Sequence, residues 1–143
     1  MRVTSVLLLG ACCLLIAGCA SGPGPMETAL NGKEGDEARR ALVELREEGV
    51  HVSAEHLEAI LREQRDPGAR AMAADMRAAQ YADETVDELR ESARRDKAWP
   101  VRAAALRALA VMEGIDAAEE LHTAMRTDIE PQVRVKALHQ LYG

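Results

Sequence analysis

From Asp36 onward the apolar and polar positions recur with a period of 32 residues, and the register holds without a gap. Ala41, Ala73, Ala105 and Ala137 occupy one column. Leu42, Ala74, Leu106 and Leu138 follow it, and Leu45, Arg77, Leu109 and Leu141 lie four positions beyond the alanines. Between these sets Leu57, Leu89 and Leu121 share a column, with Leu61, Ala93 and Met125 four positions on. Steps of three and four residues mark one face of an α-helix, so each period predicts two helices. They fall near 36–48, 53–65, 68–80, 85–95, 99–112, 116–126 and 131–142. Ser53, Thr85 and Asp116 are expected as N-caps. Pro67, Pro100 and Pro131 sit at the starts of second helices, where a missing N–H costs nothing. Beyond the first twenty positions no run alternates with period two, so the chain reads as all-α.

The first nineteen residues break this pattern. Met1-Arg2 is a short positive region, and the apolar stretch from Val6 to Ile16 is too short for a membrane span, which needs about 20 apolar residues. It runs into Ala17-Gly18 and then a Gly/Pro cluster, as a cleaved signal peptide does. Ile16-Ala17-Gly18-Cys19 resembles the lipobox of bacterial lipoproteins. That resemblance implies cleavage between Gly18 and Cys19, a thioether-linked lipid on Cys19 and an acylated new amine. Leu9-Gly10-Ala11-Cys12 is a rival site with a shorter apolar region before it. An uncleaved anchor, with the cysteines as small apolar residues, is a further alternative. Two or more acyl chains suffice for stable attachment. In a double-membraned organism, Ala20 resembles the pattern of outer-membrane lipoproteins, here facing the periplasm. Residues 1–18 are thus expected as signal peptide and 19–35 as a lipidated cysteine with a flexible Gly/Pro linker, spanning on the order of 20 Å. The repeat domain occupies 36–143.

Composition agrees with helices: there is no Phe, one Trp and two Tyr in 143 residues, while Ala, Leu, Glu and Arg dominate. The formal net charge is −6 with interspersed charges, and loss of the signal segment removes only Arg2 from the basic side. That balance argues against nucleic acid as a partner. Cys12 and Cys13 leave with the signal and Cys19 is consumed by lipid, so the mature chain carries no disulfide.

A two-helix unit of this length predicts a solenoid in which neighbouring units supply each other's core. The stretches Asp66-Pro67-Gly68-Ala69-Arg70, Asp96-Lys97-Ala98-Trp99-Pro100-Val101-Arg102 and Asp128-Ile129-Glu130-Pro131-Gln132-Val133-Arg134 resemble the Asp, Pro, Val-Arg signature of HEAT-like repeats, especially the short bacterial kind also found in phycobilisome lyases. The resemblance covers most of 36–142 and implies a right-handed α-solenoid of about three and a half repeats. It also implies a structural ladder between successive repeats, made of Asp66, Asp96 and Asp128 with Arg70, Arg102 and Arg134. Ala69 and Ala74 depart from the signature, so the second repeat is expected to pack loosely. In the first unit Pro25 falls where the Leu57 column would continue, so its first helix is expected to be missing or truncated. Glu37 and Glu44 there replace apolar columns, as in a polar terminal cap.

No phosphate loop, nucleophile elbow, HExxH or CxxC pair is present. Glu119-x-x-His122 resembles a carboxylate–histidine metal motif, but such a site needs the pattern twice. His51, His56, His122 and His139 read as surface residues. No cofactor, metal or catalytic residue is expected, and the lyase activity of some HEAT-like relatives has no residues here to carry it. The expected role is a membrane-anchored interaction module or scaffold of the cell envelope. A protein partner would meet the outward columns of the second helices, Arg40, Asp75, Arg107, Lys136 and His139. The alternative is an assembly or regulatory subunit docking through the last helix, where Val135, Leu138 and Tyr142 form an uncapped apolar end that fits a partner or a second copy.

Overall fold

The computed structural model describes residues 24–32 and 36–143. The described residues form α1 (Pro25–Asn31), α2 (Glu37–Glu47), α3 (Ala54–Glu63), α4 (Pro67–Gln80), α5 (Val86–Arg95), α6 (Trp99–Glu113), α7 (Ala118–Thr127) and α8 (Pro131–Tyr142), with single 3₁₀ turns at Ala82–Glu84 and Gly114–Ala117. Helices pair in chain order, and the second members of the pairs stack directly: α2 on α4, α4 on α6, α6 on α8. The result is an all-helical solenoid of four helix pairs, the first one short. The signal segment and Cys19 lie outside the described residues.

The repeat columns explain why the units stack. Ala41, Ala73, Ala105 and Ala137 are all buried, and small side chains at a helix contact allow close interaxial approach. Leu42, Leu106 and Leu109 fill the space beside them, and Leu57, Leu89 and Leu121 close it from the first helices. In α6 the entire run from Val101 to Leu106 is buried, because α4, α5 and α8 pack around this helix.

Arg77 stands in a column otherwise made of leucines and is buried too. Its Nη1 donates to the Ala54 carbonyl at 2.6 Å, and its guanidinium pairs with Glu88. The second repeat therefore departs from the pattern by burying an arginine, paired with the partly exposed Glu88, in place of an apolar contact.

Three local expectations need correction. The segment expected as linker contains α1, whose Ala29 is fully buried. Pro25 opens this helix at a position where its missing N–H costs nothing, and contact with α2 and α3 stabilises seven residues that would not hold a helix alone. Thr85 makes no capping bond and is fully buried. Asp116 lies within a 3₁₀ turn, so α7 starts after it. Ser53 does cap α3, accepting from the His56 N–H at 3.4 Å. Helix α2 ends at Gly49, whose φ of 69° favours glycine; the N–H groups of Gly49 and Val50 donate back to the Arg46 and Leu45 carbonyls.

Candidate interaction surface

The turns between paired helices carry a two-rung ladder. Arg70 donates through Nε and Nη2 to the two carboxylate oxygens of Asp96, at 3.2 and 2.9 Å. Arg102 does the same to Asp128, at 2.8 and 2.7 Å. In each case the remaining nitrogen, Nη1, donates to two carbonyls of the preceding turn: Gln64 and Arg65 for Arg70, Asp96 and Lys97 for Arg102. Each aspartate also accepts a backbone N–H, from Ala98 and Glu130 respectively. Burial by itself would raise the Asp128 carboxyl, but the Arg102 hydrogen bonds, the Glu130 N–H and the charges of Arg102 and Arg134 outweigh it and hold Asp128 below the usual carboxylate range. Arg102 is held more firmly cationic by the same bonds.

Asp66 is not a rung. It caps α4, accepting from the Ala69 N–H at 2.8 Å, and the residue that shares a column with Asp96 and Asp128 is Gln64. The arginine column holds Ala38 in the first repeat, so a carboxylate at position 64 would have been buried without a cation. Gln64 donates instead to the Ala29 carbonyl at 3.0 Å, which ties α1 to the second repeat. The signal was in the sequence, two positions away from the aspartate that attracted notice.

The face of the second helices is less available than its sequence suggests. Arg107 pairs with Asp75 one repeat earlier, and its guanidinium charge is held more firmly by that bond. Arg40 pairs with Asp36, whose carboxyl is pulled below its usual range by hydrogen bonding to Arg39 and by the charge of Arg40. Lys136 and His139 remain exposed on α8. The structure thus spends three of the five expected contact residues on internal pairs.

The last helix differs. Val135, Leu138 and Tyr142 are 53%, 43% and 73% exposed, whereas Ala103 and Leu106, one period earlier, are 8% and 1% exposed because α8 covers them. The column that each earlier unit buries at Leu42, Ala74 and Leu106 is therefore open on α8 at Leu138, with Val135 and Tyr142 beside it. Around the corner, Trp99, Pro131, Gln132, Val135 and Lys136 line a shallow groove of about 320 Å³ that the sequence pattern did not reveal. The opposite end is polar: Pro25, Thr28, Glu37, Arg40, Ala41 and Glu44 line the outer cleft between α1 and α2.

Little in the described residues is arranged for chemistry. A cleft of about 410 Å³ between repeats is lined by Arg94, Arg102 and Asp128 among others, and these are spent on Glu120 and on each other. Among the described residues no group of three His, Cys, Asp or Glu side chains converges as metal ligands, Glu119 and His122 included. His51 bonds the Tyr81 hydroxyl at 2.8 Å and His56 the Ser53 hydroxyl at 2.7 Å. No described helix is long and apolar enough to cross a membrane.

Stacked helix pairs with buried alanine columns and an Arg–Asp ladder define a helical-repeat scaffold. The HEAT repeats family matches residues 54–141, more than half of the chain, and the protein belongs to that family. No curated protein and no solved structure matches the chain significantly.

Proposed function

We propose that this protein is a lipid-anchored, non-catalytic interaction module of the cell envelope that docks a protein partner through the outer edge of α8. The observation that carries the reading is the exposure of Leu138 in a column that every preceding unit buries, at Leu42, Ala74 and Leu106, with the exposed Val135 and Tyr142 on the same helix face. Three adjacent apolar side chains on one helix face make an anchor of the kind protein interfaces use, and a helical solenoid offers a rigid frame for it. The paired charges on the second-helix face favour this edge over the lateral surface. The lipid anchor rests on the sequence alone, on Ile16-Ala17-Gly18-Cys19 and the apolar stretch before it.

Two experiments test the two halves. Intact mass of protein extracted from its own host's membranes should equal residues 19–143 plus acyl chains, and Cys19→Ala should abolish the acyl mass. An unacylated or uncleaved wild-type protein would remove the anchor from the proposal. For docking, Leu138→Asp should abolish co-purification of the partner while Arg107→Glu leaves it intact. The reverse ranking would move the site to the lateral face.

A further inference from the structure

Resting on the docking reading above, we infer that the α8 edge recognises a carboxylate of a second, different polypeptide, and that Arg134 is the residue that takes it. Arg134 occupies the ladder column. Its Nη1 donates to the Asp128 and Ile129 carbonyls at 2.8 and 3.2 Å, the same two-carbonyl hold that fixes Arg70 and Arg102. In those two arginines the Nε/Nη2 edge then grips an aspartate 26 residues further along the chain. Arg134 has no carboxylate on that edge among the described residues. Its guanidinium is thus pre-oriented for a bidentate acid, and the acid comes from outside these residues.

The surface beside it continues the same interface. Leu138 lies one helical turn beyond Arg134, in the column where Leu106 is covered by α8. An occupant that continues the stack needs an Asp or Glu in a turn and a small-residue helix face to lie over Leu138. A second copy stacked head to tail does not supply this. The position that corresponds to the ladder aspartates in its leading turn is Gly32, and Asp36 of that turn is already paired with Arg39 and Arg40. The open fork of Arg134 beside the exposed Leu138 is complementary to another protein's helical unit with an acidic turn, and that is the occupant we assign.

The test uses the full chain with p-benzoylphenylalanine in place of Tyr142, irradiated in its own host. The expected result is an adduct with a different polypeptide whose mapped segment contains an Asp or Glu. Its yield should fall about tenfold with Arg134→Gln, as for loss of a charge-assisted bidentate pair, and stay unchanged with Arg40→Gln at the other end. An adduct lost with Leu138→Asp but insensitive to Arg134→Gln overturns the carboxylate inference and leaves the docking reading standing. An adduct indifferent to both, or none at all, overturns both. A self-adduct assigns the edge to a second copy and overturns the inference.

A second measurement does not depend on the partner. Extending the chain at Gly143 with a copy of residues 112–143 places a copy of Asp128 26 residues after Arg134. Urea unfolding of this extended chain should show about a tenfold loss in folding equilibrium when the copied aspartate is changed to Asn, and no further loss when Arg134→Gln is already present. Independent effects of the two changes would overturn the inference.

Discussion

Substituting Asp128→Asn removes one charge from the better buried rung while keeping side-chain size. Arg102 and Asp128 are each 8% exposed, and their closest contact is 2.7 Å. At that separation, with an effective dielectric of about 20, the gross attraction is about 6 kcal/mol. The variant does not lose all of it. Asn still accepts one hydrogen bond, and Arg102 keeps the Asp96 and Lys97 carbonyls. The expected cost is about 3 kcal/mol, the lower end of the range for leaving one member of a buried pair alone. For a domain of this size that lowers Tm by roughly 12 °C. Urea titration followed by both Trp99 fluorescence and helical circular dichroism reads it, and coincidence of the two checks two-state behaviour. Replacing both partners with apolar residues, Arg102→Met with Asp128→Leu, should recover only part of the loss, because the Glu130 N–H and the Asp96 and Lys97 carbonyls also lose their partners. A cost for Asp128→Asn no greater than that of Glu58→Gln, whose partner Arg62 is largely solvated, would refute the ladder as a source of stability.

Three further outcomes follow from the same geometry. Gln64→Leu should cost about 1–3 kcal/mol by orphaning the Ala29 carbonyl, and hydrogen exchange should show α1 released while α4–α8 keep their protection. Arg77→Leu combined with Glu88→Leu restores the leucine column and should stabilise by about 1–4 kcal/mol in thermal unfolding; a loss of stability would mean that the pair organises α3 and α5. Because the folded-state pKa of Asp128 is depressed, its stabilisation is complete above the unfolded value near 4 and disappears as pH falls through the lower folded value. Acid titration of stability should therefore be shallower in Asp128→Asn.

The period of 32 made the stacked helices legible because alanine and leucine columns report helix contacts directly. Proline at the second-helix starts fixed the boundaries of α4, α6 and α8 to within a residue or so. What the pattern could not show was structure held by tertiary contact. Helix α1 is seven residues between glycines, and its local signals are those of a turn. Likewise Asp66 and Gln64 stand two positions apart, and only the stacking of units decides which of them faces the ladder column. The charges on the second-helix face were read one by one, yet Arg107 meets Asp75 only because successive helices lie side by side. The open edge of α8 was foreseen from Val135, Leu138 and Tyr142; the unfilled fork of Arg134 required the geometry of the two rungs before it.

The burial of α6 from Val101 to Leu106 and the bareness of α8 at Leu138 have a consequence for cooperativity. In a linear array each unit's stability is its own plus that of its neighbours, so the interior pair is locked from both sides and the terminal pair from one. Local opening is therefore cheaper at the two outer pairs, α1 with α2 and α7 with α8, than at the pairs between them. If a partner docks on α8 as proposed, it takes the position that a following unit holds on α4 and α6, and part of its binding energy goes into closing that end. Affinity and the rigidity of the terminal helices then rise and fall together, so substitutions that loosen α8 from α6 weaken capture without touching the partner at all.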